Sequence, residues 1–148
     1  LWELQGRIWT MDAKGDAKTA VRLSAGDTMG SYGLTTLPDG RIIYSARAAL
    51  SFDLWILGEN DTEPKPLTSD TFFDNGAVAA PDGSFIVFAS DRTGTGTSHL
   101  FRMNADGSRI EQLTFGEGFE DTPDISPDGA YIIYHSKTYD RAKADWIN

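Results

Sequence analysis

The chain has 148 residues, a formal net charge of −9 and no cysteine. Its acidic balance argues against binding to nucleic acid or to an anionic membrane surface, because both need clustered Lys and Arg. The lack of cysteine excludes disulfides and thiolate metal sites, and no apolar run approaches the roughly 18 residues needed to insert into a bilayer.

Residues 1–24 predict the end of one structural unit. Two short apolar stretches, 6–12 and 19–24, predict its last two strands. The sequence starts at Leu1, with no initiator Met and no signal peptide. We therefore expect the chain to be a piece of a longer protein.

Residues 25–68 predict a complete unit of four strands, at 34–37, 41–46, 52–57 and 65–68. The turn Pro38-Asp39-Gly40 joins the first two strands. Such a turn favours a hairpin, because Gly tolerates a positive φ and Asp hydrogen-bonds to nearby backbone.

Residues 69–114 form the clearest unit, with strands predicted at 75–80, 84–90, 99–104 and 109–114. The second of these is apolar on both faces, so both of its faces must be covered. The polar, Gly-rich segment 91–98 predicts a loop. Residues 115–148 predict three further strands, at 124–126, 131–136 and 145–148, and no stretch of the chain predicts a helix.

The units repeat with a period of about 45 residues. Pro-Asp-Gly turns begin at Pro38, Pro81 and Pro127, which are 43 and 46 residues apart. Four antiparallel strands per unit, with the outermost strand most polar, are typical of a β-propeller blade. The predicted fold is all-β, a single propeller segment over 1–148 with a partial blade at 1–24, blades at 25–68 and 69–114, and a partial blade at 115–148.

Roughly three and a quarter repeats are too few to close a ring, because propellers need four to eight blades. An open stack leaves apolar faces and strand edges exposed. Either the chain is a piece of a longer protein, or copies form a homo-oligomer that completes the ring. The third strand of a blade is predicted at both termini, so strand complementation between copies would duplicate it. The first explanation is therefore favoured.

One motif carries a family resemblance. Asp121-Thr122-Pro123-Asp124-Ile125-Ser126-Pro127-Asp128-Gly129 and the strand after it resemble the central signature of TolB-type, WD40-like (PD40) β-propeller repeats. The segment Phe88-Ala89-Ser90-Asp91-Arg92 is similar to another part of that repeat. The blade at 31–57 departs from the pattern, since Leu34-Thr35-Thr36-Leu37 precedes its turn.

The resemblance implies a bacterial, periplasmic or extracytoplasmic protein that binds a protein or peptide partner. Similar repeats also serve as sensory domains and as gating propellers of prolyl-oligopeptidase-like and tricorn-like peptidases. Three functions follow: a non-catalytic binding scaffold, which we favour, an accessory propeller of a peptidase-like enzyme, or a structural, self-assembling blade array. Fold alone does not decide among them.

The longer loops are expected at the end of the strands opposite the Pro-Asp-Gly turns. They carry aromatic and charged side chains suited to recognition: Tyr32, Phe52, Phe72, Phe73, Asp74, Asp91, Arg92, Phe115, Glu117, Phe119, Glu120, Asp121, Tyr139 and Arg141. The residues predicted to contact a partner are Asp74, Asp91, Arg92, Phe115, Glu117, Phe119 and Asp121. Packing between blades is the alternative role for the phenylalanines.

Other chemistry is weakly supported by the sequence. Asp91-Arg92 either contacts a ligand or holds strands and blades together. Glu117, Glu120, Asp121 and Asp124 could attract calcium, but their spacing does not match an EF-hand loop, and no metal or cofactor is predicted. His99 and His135, the two histidines, fall in or beside strands, and no nucleophile elbow or P-loop occurs, so the segment is predicted not to be an enzyme.

Overall fold

The computed structural model describes residues 5–6, 8–19, 21–22, 28–29, 32–48, 51–140 and 145–147. These residues form β-strands and one short 3₁₀ turn, Ala17–Thr19. No described helix is long and apolar enough to cross a membrane. In chain order the strands are β1 (Gln5–Gly6), β2 (Trp9–Thr10), β3 (Val21–Arg22), β4 (Thr28–Met29), β5 (Tyr32–Thr36), β6 (Ile42–Ala48), β7 (Ser51–Leu57), β8 (Lys65–Pro66), β9 (Asp74–Ala79), β10 (Phe85–Ser90), β11 (His99–Asn104), β12 (Glu111–Gln112), β13 (Gly118–Ile125), β14 (Ile132–Asp140) and β15 (Asp145–Ile147).

The strands assemble into antiparallel sheets that follow the chain. Two sheets have four strands each, in the orders β5-β6-β7-β8 and β9-β10-β11-β12. A three-stranded sheet, β13-β14-β15, follows them, and the pairs β1-β4 and β2-β3 precede them. This confirms an all-β fold of four-stranded blades in an incomplete ring.

The Pro-Asp-Gly turns have the geometry expected from their sequence. In the turn between β9 and β10, the Gly83 N–H donates to the Ala80 carbonyl at 2.8 Å, and Gly83 has a φ of +72°. The Asp82 carboxylate accepts from both the N–H and the hydroxyl of Ser84, at 3.0 and 2.7 Å. The side-chain hydrogen bond from Ser84 is the main cause of a lowered Asp82 pKa. The hydrogen bonds that close this turn are therefore local in sequence.

The core lies between the blades. On β10, Ile86 and Phe88 face the preceding blade, where they join a cluster that includes Leu54. Val87 faces the other way and packs in a cluster with Ile125 of the following blade. All three β10 residues have 0% exposure. Alternation along the strand therefore buries both faces, as the apolar pattern of this strand predicts.

The first strand of each blade contains a bulge at an equivalent place. Gly33, Gly76 and Thr122 all have positive φ, at +66°, +61° and +47°. The strand register shifts at or beside each of them. They lie side by side, since a β-carbon on Gly33 would stand 3.2 Å from the Gly76 Cα. The three bulges thus align the first strands of successive blades.

The observed strands differ in length from the predicted ones. β13 spans Gly118–Ile125, whereas only 124–126 was predicted, because the bulge lets a polar stretch continue the pairing. The fourth strands, β8 and β12, are two residues long and shorter than predicted. β14 continues to Asp140, four residues beyond the predicted 131–136.

Candidate functional site

The longer loops lie together at one end of the strands, opposite the Pro-Asp-Gly turns. We define this long-loop face by the connections 67–73, 91–98 and 113–117 and by the strand ends that adjoin them. Each of these connections joins two strands at the same end, because neighbouring strands in each sheet are antiparallel.

Arg92 is the centre of a buried ionic cluster at this face. Its guanidinium Nη2 donates to both carboxylate oxygens of Asp74 at 2.8 Å and lies 3.4 Å from Asp70 Oδ2. The Asp74 side chain is fully buried, and the Arg92 side chain is 14% exposed. A buried carboxylate needs such a partner, because its desolvation is otherwise uncompensated.

Aromatic rings surround the same guanidinium. The Arg92 Cζ lies 5.3 Å from the ring centroids of Phe88 and Phe101 and 5.7 Å from that of Phe72. A planar guanidinium is attracted to aromatic faces at this distance. Arg92 is therefore held by charge and by packing at once.

Asp53, on β7 of the preceding blade, completes the cluster. It accepts from the Thr68 hydroxyl at 3.5 Å and from the Asp70 N–H at 3.3 Å. Burial raises the pKa of the Asp53 carboxyl above its usual value; the Asp70 N–H opposes this, and the Asp70 and Asp74 carboxylates add to it. The cluster joins the two four-stranded blades, since Asp53 and Thr68 belong to one and Arg92 to the other.

A second polar cluster joins the next pair of blades. His99 Nδ1 lies 2.7 Å from Glu120 Oε2, and both side chains are buried, at 2% and 7% exposure. The Glu120 carboxylate also accepts from the hydroxyls of Thr114, at 3.1 Å, and Ser136, at 3.4 Å. A carboxylate with three donors is well satisfied despite its burial.

The two clusters occupy equivalent places in the repeat. Asp53, Thr68 and Asp74 correspond to His99, Thr114 and Glu120, each pair being 46 residues apart. In both, the threonine hydroxyl accepts an N–H from the adjacent third strand, at 2.9 Å. We call these two clusters the inter-blade clasps. By this equivalence the His99–Glu120 pair occupies the positions of Asp53 and Asp74, whereas Arg92, the cation of the first cluster, corresponds to Thr138.

Asp91 and Arg92 do not pair with each other. Asp91 Oδ1 accepts the Phe73 N–H at 2.8 Å, while Arg92 reaches Asp74. Of the other residues predicted to contact a partner, Phe115 is 73% exposed, Glu117 is exposed and Phe119 is half-buried. Asp121 lies 3.2 Å from His135 Nδ1 on the neighbouring strand.

Phe52 and Phe73 were predicted on this face but not among the residues that contact a partner. Phe73 is 44% exposed, and its ring lies 5.4 Å from that of Phe52 across the blade boundary. Asp53, Asp70 and His99 belong to the clasps but were not predicted as a set. The 46-residue spacing was the signal that could have found them. Arg141, and the side chains of Tyr32 and Tyr139, lie outside what the structure describes.

Metal ligation is not the best explanation of the acidic residues. In the described part of the chain, one group of three potential ligands lies within 4.8 Å: Asp53, Asp70 and Asp74. The Arg92 guanidinium contacts two of these carboxylates and so supplies positive charge there. The acidic residues whose spacing was compared with a calcium loop, Glu117, Glu120, Asp121 and Asp124, are not in this group, and Glu120 and Asp121 contact different histidines.

The family follows from comparison with known proteins. The model of the TolB beta propeller domain, PD40, matches residues 6–145. The chain belongs to the TolB β-propeller family. An uncharacterised protein of Agrobacterium fabrum is 30% identical over 103 residues, which are 67% of this chain and 33% of that protein. A TolB homologue of Chlorobaculum tepidum is 38% identical over 56 residues, 38% of this chain and 12% of that protein.

Solved structures agree with the TolB assignment. A structure described as TolB from Agrobacterium tumefaciens matches with a TM-score of 0.78 and 26% identity, over 89% of this chain and 46% of that one. Puromycin hydrolase and the tricorn protease share the fold alone, at 20% and 15% identity and TM-scores of 0.61 and 0.63. The chain thus spans less than half the length of the TolB proteins and relatives described here.

Proposed function

We propose that this TolB-type segment is a non-catalytic scaffold that binds a protein or peptide partner through its long-loop face. The observation that carries the proposal is the exposure of two phenylalanines on that face. Phe115 is 73% exposed and Phe73 is 44% exposed. Exposed aromatic side chains on scaffolded loops are the residues most enriched at recognition surfaces.

The surroundings of these rings favour a peptide. Phe73 is fixed by its N–H bond to Asp91 and by its contact with the Phe52 ring, so little side-chain entropy is lost when a partner covers it. Asp70, whose side chain is 34% exposed, and the exposed Glu117 add negative charge beside the two rings. A peptide with an apolar side chain next to a Lys or Arg matches this arrangement.

A random peptide library displayed on phage tests the proposal. Peptides selected on the immobilised chain are expected to lose binding at least tenfold on a Phe73→Ala, Phe115→Ala double variant. Ile110→Ala is the matched control. Ile110 is 38% exposed in the connection between β11 and β12, at the end of the strands opposite the long-loop face. Equal binding to the double variant and to the parent chain contradicts the proposed face.

The proposal includes no catalytic role for this segment. His99 is hydrogen-bonded within an inter-blade clasp, which supports a structural role for it. The likeness to puromycin hydrolase and the tricorn protease supports the second candidate, a propeller that gates a peptidase domain encoded next to this segment. An α/β-hydrolase signature in the adjoining coding sequence would favour that candidate. A periplasmic or extracytoplasmic location is proposed by analogy with TolB homologues.

The uncovered face of the last described blade fits either further blades of a longer chain, which the strand count favours, or a second copy of this chain that completes the ring. The last described blade leaves apolar side chains uncovered, with Tyr131 71% exposed and Ile133 68% exposed. Such a surface needs a cover in a stable propeller.

A further inference from the structure

Three threonines in the connection between β10 and β11 form a line of hydrogen-bonded hydroxyls on the long-loop face. Thr93 Oγ1 lies 2.8 Å from Thr95 Oγ1, which lies 2.8 Å from Thr97 Oγ1. We call these three residues the threonine row. Gly94 and Gly96 separate them and have positive φ, at +71° and +77°. The middle of the row is at the surface, since Thr95 and both glycines are exposed.

The inner end of the row reaches a buried histidine. Thr97 Oγ1 lies 3.3 Å from His99 Nε2, and His99 Nδ1 lies 2.7 Å from Glu120 Oε2. The Glu120 carboxylate also accepts from the Thr114 hydroxyl, so it acts as an acceptor throughout the clasp. We therefore assign the proton of the His99–Glu120 bond to Nδ1.

The hydroxyl protons of the row must then point in one direction. A neutral His99 accepts at Nε2, so Thr97 donates its only hydroxyl proton to it. Thr95 in turn donates to Thr97, and Thr93 donates to Thr95. Thr93 makes no other side-chain hydrogen bond among the residues that the structure describes. Its oxygen, at the outer end of the row, is left with lone pairs and can only accept.

Protonation of His99 reverses the row. Nε2 then carries a proton and donates it to Thr97, whose own proton turns to Thr95, and the Thr93 hydroxyl becomes a free donor. Histidine is the side chain whose charge changes most readily between about pH 5 and about pH 8. The charge of a buried ring is thereby expressed as hydrogen-bond polarity at the surface.

Other charged groups lie on the elements packed around His99. They are Glu117 in the connection before β13, Glu120 and Asp121 on β13, His135 on β14, and the Arg92–Asp74 pair, which reaches Ser90 opposite His99. Of these, Glu120 is the group that is hydrogen-bonded to the His99 ring. His135 is a second imidazole, so an effect of pH is assigned to His99 only by comparing variants.

We propose that the outer end of the threonine row binds a cationic N–H donor of the peptide partner, and that His99 sets the polarity of this end. The inference rests on the proposed function, because Thr93 is two residues from Asp91, whose carboxylate accepts the Phe73 N–H at 2.8 Å. Two residues span at most about 7 Å. A Lys or Arg next to an apolar side chain on Phe73 therefore reaches Thr93 Oγ1 while His99 is neutral, and loses this acceptor when His99 is protonated.

NMR tests the row without any ligand. The Thr93 methyl resonance is expected to shift together with the His99 ring resonances as the pH is lowered from about 8 to about 5. Thr95→Val interrupts the row at an exposed position and keeps the shape of the side chain, so Thr93 should no longer follow His99. Thr62→Val is the matched control, because Thr62 is exposed in the β7–β8 connection, at the opposite end of the strands. A Thr93 resonance that does not follow His99 in the parent chain, or follows it equally in Thr95→Val, overturns the row.

Peptides selected on the parent chain test the ligand. Those that require Phe73 and Phe115 are expected to bind about fivefold more weakly at about pH 5 than at about pH 8, the effect of one hydrogen bond. Thr95→Val should remove this difference, and Thr62→Val should keep it. A difference of equal size in Thr95→Val overturns the inferred ligand and leaves the proposed face intact. Peptides that bind equally well to the Phe73→Ala, Phe115→Ala variant overturn the proposed function and this ligand with it, while the NMR result decides the row.

Discussion

At the scale of single residues, the inter-blade clasp at Arg92 is the place where we expect one substitution to lower the stability of the chain most. Asp74 is fully buried, and Arg92 is its cationic partner. Arg92→Ala is expected to destabilise the chain by about 3 kcal/mol, because it leaves a buried charge unpaired. Urea unfolding followed by Trp fluorescence measures the effect.

The control is Arg102→Ala. The Arg102 side chain is exposed and its Cζ lies 4.0 Å over the Phe85 ring. This contact contributes about 0.5–1 kcal/mol. If both variants lose the same stability, the Arg92 clasp has no special role.

Asp53 gives a prediction about pH. Burial raises its pKa in the folded chain, so the folded state binds a proton there more tightly than the unfolded state does. The stability from this group is therefore present below the unfolded pKa of 3.8 and lost as the pH rises through the raised folded value. Asp53→Asn removes the buried charge but keeps an oxygen that accepts the Thr68 and Asp70 bonds.

The Asp53→Asn variant is expected to have a higher urea midpoint than the parent chain at pH 7. The difference should narrow as the pH falls towards 4, because the Asp53 carboxyl then becomes neutral. Urea titrations across this range measure it. Asp106→Asn is the control, since Asp106 is an exposed turn residue whose pKa is lowered by Ser108. A difference for Asp53→Asn that grows on acidification contradicts this sign.

Single residues also show where the sequence is informative and where it is not. Asp91 and Arg92 were recognised from a repeat motif, and their possible role in joining blades was stated. Their actual acceptors and donors, Asp74 and the Phe73 N–H, lie 18 residues away along the chain. Such contacts depend on how two blades stack, which local sequence does not encode.

At the scale of elements, the bulges of the first strands predict a stabilising substitution. Thr122 has a φ of +47°, a region that costs a β-branched residue about 1 kcal/mol or more. Its equivalents Gly33 and Gly76 occupy the same region without that cost. Thr122→Gly is expected to raise stability by about 0.5–1 kcal/mol, or about 2 °C in Tm.

Thr122→Ala separates the two effects of this change. It removes the hydroxyl bond to Asp121 but keeps a β-carbon at positive φ. Thermal unfolding should therefore show a gain for the Gly variant and none for the Ala variant. A gain of equal size in both would mean that the backbone conformation is not the cause. Gly76→Ala, at a φ of +61°, should lose stability.

Turn chemistry explains which elements were predictable. Each Pro-Asp-Gly turn is closed by bonds within five residues, as in the bond from Gly129 N–H to Ser126, so its place follows from local sequence. The length of β13 does not follow from local sequence, because its polar residues are paired with β14 on either side of the bulge. The pairing partner, and not strand propensity, extends that strand.

At the scale of the whole molecule, the repeat determines the fold and the way in which successive blades pack. The period predicted the blades, and the inner blade packs both of its faces on neighbours, as Ile86 and Val87 do on opposite faces of β10. The contact between Asp53 and Arg92 through Asp70 could not be predicted from the sequence, because it forms only when two blades stack.

Peptide binding to a Phe73→Ala, Phe115→Ala double variant tests the central claim most directly, that the exposed rings of the long-loop face bind a protein or peptide partner. Peptides selected on the parent chain should bind the double variant at least tenfold more weakly and should bind the Ile110→Ala control unchanged. Equal binding to the double variant and to the parent chain would contradict the account.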